Sequence, residues 1–283
     1  MRKDQLLSRR RLLLAGAAVL GAAGAAGAAG LLLEDDPVRP ARGALAAAGP
    51  GARGPHESSA FRLRPMTGSW PARRTPVRTA VRREPILRMP DRGRSMVLTF
   101  DDGPDPRYTP GILRTLREYD VRAMFFVCGE PAADHRDLLR EMADDGHIVG
   151  NHTWTHPLLT RLTRPAIRSE MERTCEIVQE AYGEAPLWFR APYGAWNRAA
   201  FELGAELGMD PLAWTLGSGD WTTPPPEAKA IVEQVEGGAA PGVIVLSHDA
   251  GGDRTQTVAA LRDCLPFLLD AGYHLTVPRR RPT

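Results

Sequence analysis

The chain is 283 residues long, enough for one large folded domain with extensions, and its three cysteines (Cys128, Cys175, Cys264) are too few and scattered for a disulfide framework. A formal net charge of +2 conceals a strong asymmetry: residues 34–94 carry 13 basic against 6 acidic groups, and residues 95–283 carry 18 against 27. Basic charge that lies outside an acidic domain argues against nucleic acid as a partner.

Ser8-Arg9-Arg10-Arg11-Leu12 resembles a twin-arginine export motif, and a weakly hydrophobic Ala/Gly/Leu run follows through Leu33. Residues 1–46 are therefore read as a twin-arginine-like signal peptide or an uncleaved anchor. That makes the protein exported, to the extracellular space or the cell envelope. Residues 47–93 are rich in Pro, Arg, Ala and Gly without a period of two or 3.6, and are expected to be a disordered linker. Its arginines can touch anionic wall polymers or lipid headgroups, so membrane or cell-wall association runs through the N-terminal segment and this linker. Residues 279–283 form a short basic tail.

From Met96 onward apolar runs alternate with amphipathic stretches. Strands are expected at 96–100, 123–127, 147–150, 187–189, 211–214, 243–246 and 273–277. Helices are expected at 110–118, 135–144, 164–181, 198–207, 227–236 and 255–269. Strands separated by helices imply parallel βα units and an α/β fold. Cys128 reads as a small buried hydrophobe, and a Cys175–Cys264 bridge is compatible with export, but the sequence does not show that the two approach.

Polar groups recur just beyond the apolar runs, at the edge where active sites of parallel α/β folds assemble. Thr99-Phe100-Asp101-Asp102-Gly103 puts two carboxylates at a strand end. Ionised together they repel, and a cation on one would compensate while leaving the other free as a base. The alternative is an Asp-Gly turn with solvated acids. His152 and His156 stand four positions apart, on one face if the segment makes a helical turn, which Pro157 would stop. Two imidazoles and a carboxylate without thiolate suit zinc, and also cobalt, nickel or iron. Arg190-Ala191-Pro192-Tyr193, Asp220-Trp221 and Leu246-Ser247-His248 follow the same layout.

In this order, the five motifs resemble those of the NodB-type polysaccharide deacetylases, carbohydrate esterase family 4, over roughly residues 94–278. The resemblance implies a distorted (β/α) barrel of about seven parallel strands. It implies one divalent metal ion, zinc first, held by Asp102, His152 and His156, with Asp101 as general base oriented by Arg190. The backbone N–H of Tyr193 would stabilise the oxyanion, and His248, held by Asp220, would act as general acid. Trp221 and Leu246 would form the pocket for the acetyl methyl. The activity implied is deacetylation of an N-acetylated polysaccharide, peptidoglycan or a chitin-type glycan. An O-acetyl (xylan-type) esterase and an inactive glycan-binding module are the alternatives. Oligomeric state stays open. The chain departs from the family pattern at Gly217, where an Asp is common three residues before the Asp-Trp pair, and in a minor way at Ala191, where Pro is common.

Overall fold

The centre of the fold is a strand buried on both faces. Ser95–Asp101 (β1) is enclosed from Met96 onward, as expected of a strand inside a parallel sheet with layers on either side. The computed structural model describes residues 77–90 and 93–278, all within one compact unit, Thr67–Thr283. The expected signal segment 1–46, much of the linker 47–93 and the tail 279–283 lie outside the described residues.

After β1 come Thr109–Glu118 (α1), Met124–Val127 (β2), Gly129–Asp134 (α2), Arg136–Asp144 (α3), Ile148–Asn151 (β3), Arg164–Tyr182 (α4) and Trp188–Phe189 (β4). Then follow Arg198–Glu206 (α5), Asp210–Pro211 (β5), Leu216–Gly217 (β6), Ala228–Gly237 (α6), Ile244–His248 (β7), Thr255–Asp270 (α7) and His274–Leu275 (β8). All pairings are parallel, in the order β5-β4-β3-β2-β1-β7-β6, with β8 joining the start of β1. The two outer strands, β5 and β6, are halves of one extended segment. Its first half pairs with β4 and its second with β7, so a single stretch of chain meets both ends of the strand order in a barrel-like arrangement.

Side-chain alternation divides the core. Leu98, Phe100, Phe125, Val127, Val149 and Val245 pack in one cluster with Ile112, Leu139, Val178 and Leu265 from the helices. Val97, Met124, Phe126, Trp188, Leu212 and Ile244 form a separate cluster, the interior one. Thr99 and Asp101 share the parity of Val97, so β1 carries its last carboxylate along the interior face to the C-terminal rim.

The helix expected at 135–144 is present as α3, and the separate short helix before it, α2, is hidden from propensity by its Gly129 and Pro131. Two expectations need correction. Of the strand expected at 211–214 only Pro211 lies in β5 and Leu212 in an isolated bridge, and the next strand, β6, falls beyond its expected end. Part of the expected disordered linker is ordered: Thr79 N–H donates to Ala205 O (3.0 Å), Ile86 N–H to Pro211 O (2.9 Å) and Met89 N–H to Gly242 O (2.8 Å). Ile86 also bridges Leu212 in parallel and packs on the interior cluster, between the two halves of the outer segment. The three cysteines are free, so Cys175 and Cys264 do not pair; Cys175 touches Asn151 and Met209 instead. No helix among the described residues is long and apolar enough to cross a membrane.

Ile86→Ala removes a half-buried side chain from this junction and is expected to lower unfolding free energy by about 1–2 kcal/mol in urea denaturation. Unchanged stability would mean that the segment does not support the barrel.

Candidate active site and metal centre

The sequence-predicted site residues converge at the C-terminal ends of the strands. Asp101 ends β1 and Asp102 follows it, His152 follows β3, Arg190 follows β4, and Leu246 and His248 lie in β7, while Asp220 and Trp221 follow β6. Asp101, Asp102, His152, His156, Tyr193, Trp221, Leu246 and His248 line one cleft of about 660 Å³. Arg190 and Asp220 stand behind it, paired with Asp101 and His248.

Three of these residues could share a metal ion, their candidate ligand atoms lying within 4.8 Å of one another. His152 Nε2 is 3.4 Å and His156 Nε2 3.3 Å from Asp102 Oδ1. That oxygen is buried and makes no hydrogen bond of acceptable geometry. His152 Nδ1 lies 2.8 Å from the carbonyl oxygen of Arg190, which can only accept, so Nδ1 carries the proton and Nε2 presents a lone pair. The group therefore fits a cation, which would give the orphaned carboxylate oxygen its missing partner. Burial alone would raise the Asp102 carboxyl, but His152, with His248 and His156, outweighs it and brings the pKa down to about 2. Burial pushes the His156 imidazole below its usual range. An ionised carboxylate and a neutral imidazole are the forms that ligate metal.

The expected helical turn from His152 to His156 does not form; the segment is a bend. Thr153 (φ 70°) and His156 (φ 56°) adopt left-handed backbone, as does Asp102 (φ 76°). Such conformations cost non-glycine residues free energy and persist where the surroundings enforce them. Here Glu170 of α4 supplies the enforcement: its Oε2 accepts from Trp154 N–H (2.9 Å) and Thr155 N–H (2.8 Å). Asn151 Oδ1 accepts from Thr153 N–H (2.9 Å).

Asp101 is 2% exposed and is paired with a guanidinium that is wholly buried. Arg190 Nη1 donates to Asp101 Oδ1 (2.6 Å) and Thr99 Oγ1 (2.8 Å), Nε to Leu212 O (3.2 Å) and Nη2 to Ala213 O (3.0 Å). The group also lies 4.0 Å from the centre of the Phe126 ring. Burial lowers its pKa despite Asp101, though from so high a starting value that the cation persists. The second carboxylate oxygen, Oδ2, stays free of arginine and sits 3.6 Å from His152 Nε2.

On β7, in register with Asp101, His248 Nδ1 is 2.7 Å from Asp220 Oδ1, and His248 N–H donates to Asp220 Oδ2 (2.8 Å). Burial would lower the imidazole, but Asp220 more than offsets it, and His248 ends above its usual value. The ring thus holds a proton more firmly and leaves Nε2 as its unengaged nitrogen. Thr257 Oγ1 donates to Asp220 Oδ2 (2.9 Å), and Arg254 Nη1 to the Asp220 carbonyl (2.6 Å). Trp221, 45% exposed, stands edge-on to His248 at 5.4 Å between ring centres. Tyr193, with its ring exposed and φ 60°, stacks edge-on over His156 at 4.5 Å.

Sequence reasoning missed four supporting groups: Glu170, Arg254, Thr257 and Asp249. Asp249 is fully enclosed; it accepts from Gly103 N–H (3.1 Å) and Thr109 Oγ1 (2.6 Å), anchoring the turn after Asp102. A Cβ on Gly103 would lie 2.1 Å from Asp249 Oδ2, which is why the Asp-Asp pair must be followed by glycine. Burial, with the charges of Asp102 and Asp101, pushes the Asp249 carboxyl up to about 7. Its place directly after His248 was the only available signal.

Comparison with known proteins shows the family. The polysaccharide deacetylase family model matches residues 88–212, which carry Asp101, Asp102, His152, His156, Arg190 and Tyr193 and stop short of Asp220 and His248. A chitooligosaccharide deacetylase of Rhizobium leguminosarum bv. trifolii is 39% identical over 193 residues, covering 64% of this chain and 89% of that protein. The structure of the Bc1960 peptidoglycan N-acetylglucosamine deacetylase superposes with a TM-score of 0.65 at 32% identity, covering 68% of this chain and 89% of that one. BA3943, a CE4 family pseudoenzyme from Bacillus anthracis, superposes with a TM-score of 0.64 at 27% identity, covering 70% of this chain and 67% of that one.

Because Asp220 raises His248, Asp220→Asn is expected to move the His248 titration midpoint, followed by NMR, to lower pH. The stabilisation tied to His248 protonation is present below the ordinary imidazole pKa and lost as pH rises through the raised one. The stability gap between wild type and variant should therefore narrow as pH rises through that window. A midpoint that does not move would show that Asp220 does not tune this imidazole.

Proposed function

This chain belongs to the polysaccharide deacetylase family, hydrolases that cleave amide bonds on sugars, and from that membership we propose a metal-dependent mechanism acting on an N-acetylated envelope glycan. The observation that carries it is the gathering of two ion pairs, Asp101–Arg190 and His248–Asp220, with the Asp102–His152–His156 cluster at one cleft.

Asp102, His152 and His156 would hold a divalent cation, which would supply Lewis acidity there and, for zinc, lower the pKa of water from about 15.7 to about 7. Asp101 Oδ2, unclaimed by Arg190, takes the proton of the attacking water. Arg190 keeps Asp101 ionised beside the anionic Asp102 and fixes its orientation. Attack on the acetyl carbonyl builds an oxyanion, which the Tyr193 N–H stabilises; such a donor is worth about 10²–10³ in rate. An amine leaves poorly unless protonated, and His248 Nε2 donates that proton before the carbon–nitrogen bond breaks. Trp221 and Leu246 receive the acetyl methyl. Acetate and the free amine are the products.

Chitin-type oligosaccharides and the N-acetylglucosamine of peptidoglycan are the substrates proposed, in line with the names of the relatives. The twin-arginine-like start further supports export to the envelope, where peptidoglycan is met, with the basic segment as a tether to wall or membrane. The likeness to a pseudoenzyme motivates an inactive reading. Against it stands the full set of polar groups described above.

Acetate release from chitin oligomers and peptidoglycan, with acetylxylan alongside, tests the proposal. A chelator should abolish release and an added divalent ion should restore it. Asp101→Asn and His248→Ala should each lower the rate about 10²–10⁴-fold with the fold intact. Retention of more than about a tenth of the rate in either variant contradicts these roles. Release from acetylxylan alone would mark an O-acetyl esterase, and release from nothing an inactive module.

A further inference from the structure

Gly217, the position at which this chain departs from its family's pattern, lies directly beneath Trp221. A Cβ at residue 217 would stand 2.4 Å from Cη2 and 3.2 Å from Cζ3 of the Trp221 indole. No Cβ tolerates such an approach, so the indole as placed requires glycine. The backbone does not: Gly219 has φ 79°, but Gly217 is not among the glycines with positive φ. The demand for glycine comes from the ring alone.

Gly217 is also the register partner of Leu246 across the parallel β6–β7 ladder. Paired residues in parallel strands direct their side chains to the same face, so position 217 and Leu246 stand side by side under the indole. Leu246 is 4% exposed and Trp221 45%, and both line the cleft beside His248. Solvent on one side of the indole gives it room to move away from β6, whereas Leu246 is fixed by burial.

We propose that Gly217 is a specificity-determining position: by lacking a side chain it lets the Trp221 indole seat against β6 beside Leu246, and so sets the acyl pocket at the size of an acetyl group. The proposal rests on the reading of this cleft as a deacetylase site. A methyl group at 217 lifts the indole from the face it shares with Leu246. The pocket then widens, grips acetyl less well and admits a longer acyl chain.

The test compares kcat/KM for N-acetyl and N-propionyl chito-oligosaccharides of one length, in wild type, Gly217→Ala, Trp221→Ala and the double variant. Gly237→Ala serves as a control, since a Cβ there meets nothing within 4 Å. Gly217→Ala should raise the propionyl-to-acetyl ratio about tenfold, the usual weight of one methylene in an apolar pocket, chiefly through KM. In the Trp221→Ala background the same substitution should change the ratio less than twofold, because the ring through which it acts is gone. Should Gly217→Ala alone fail to fold while the double variant folds, the rescue itself reports the clash and supports the proposal. An unchanged ratio, an equal fall for both substrates, or the same shift with and without the indole overturns it. Wild type that releases neither acid overturns the deacetylase reading as well, whereas wild type that releases acetate isolates the failure to Gly217.

Discussion

Two carboxylates from consecutive residues cannot both stay ionised in a buried rim unless each meets positive charge or a strong donor, and this site divides the two. Asp101 turns inward with the parity of β1 and receives the buried Arg190 guanidinium at 2.6 Å. Asp102, in left-handed backbone, sets its Oδ1 among two imidazole nitrogens, one of which, His152 Nε2, also lies 3.6 Å from Asp101 Oδ2. One acid is thus held by a guanidinium with one oxygen left free, and the other joins a candidate ligand set. The roles proposed for the remaining residues depend on that division.

Behind the residues that face the cleft lies a second layer that determines their geometry. Arg190 spends its donors on Thr99, Leu212 and Ala213 as well as Asp101, so strands β1, β4 and the β5–β6 segment are tied through one guanidinium. Arg254 secures the Asp220 loop by its backbone carbonyl, and Glu170 holds the bend that carries both histidines. Asp249 does the same for the turn after Asp102. None of these groups need touch substrate. Their substitution would blur the spacing between base, acid and ligand set, and catalysis is sensitive to displacements of about 1 Å.

Much of this was legible in the sequence where one physical signal dominated. β1, β2, β3 and β7 are largely apolar runs because both of their faces are covered, and β1, β3 and β7 deliver polar residues at the same end. The strand expected at 211–214 overlaps β5 only at Pro211 and stops short of β6, since two-residue strands leave no mark on periodicity. Ile86 was hidden in a Pro/Arg-rich stretch whose order depends on carbonyls far along the chain. The two histidines do come together, though not by the expected helical turn; the backbone that carries them has positive φ at Thr153 and His156, which their four-residue spacing does not signal. Glu170 and Asp249 went unnoticed for a related reason: a carboxylate that caps a distant backbone N–H looks, in sequence, like any other.

Gly217 shows the reverse case, in which a departure from the family pattern becomes intelligible only with the neighbours in view. As sequence it is a missing acid; in the fold it is the space that the Trp221 indole occupies.

The central claim is that Asp102, His152 and His156 grip one divalent cation. Anomalous diffraction from crystals of the zinc-loaded protein, collected on both sides of the zinc absorption edge, measures this directly. The account predicts a single strong peak about 2.0–2.2 Å from Asp102 Oδ1 and the two Nε2 atoms. A peak bound elsewhere, or none between these three side chains in protein that has been loaded, would contradict it.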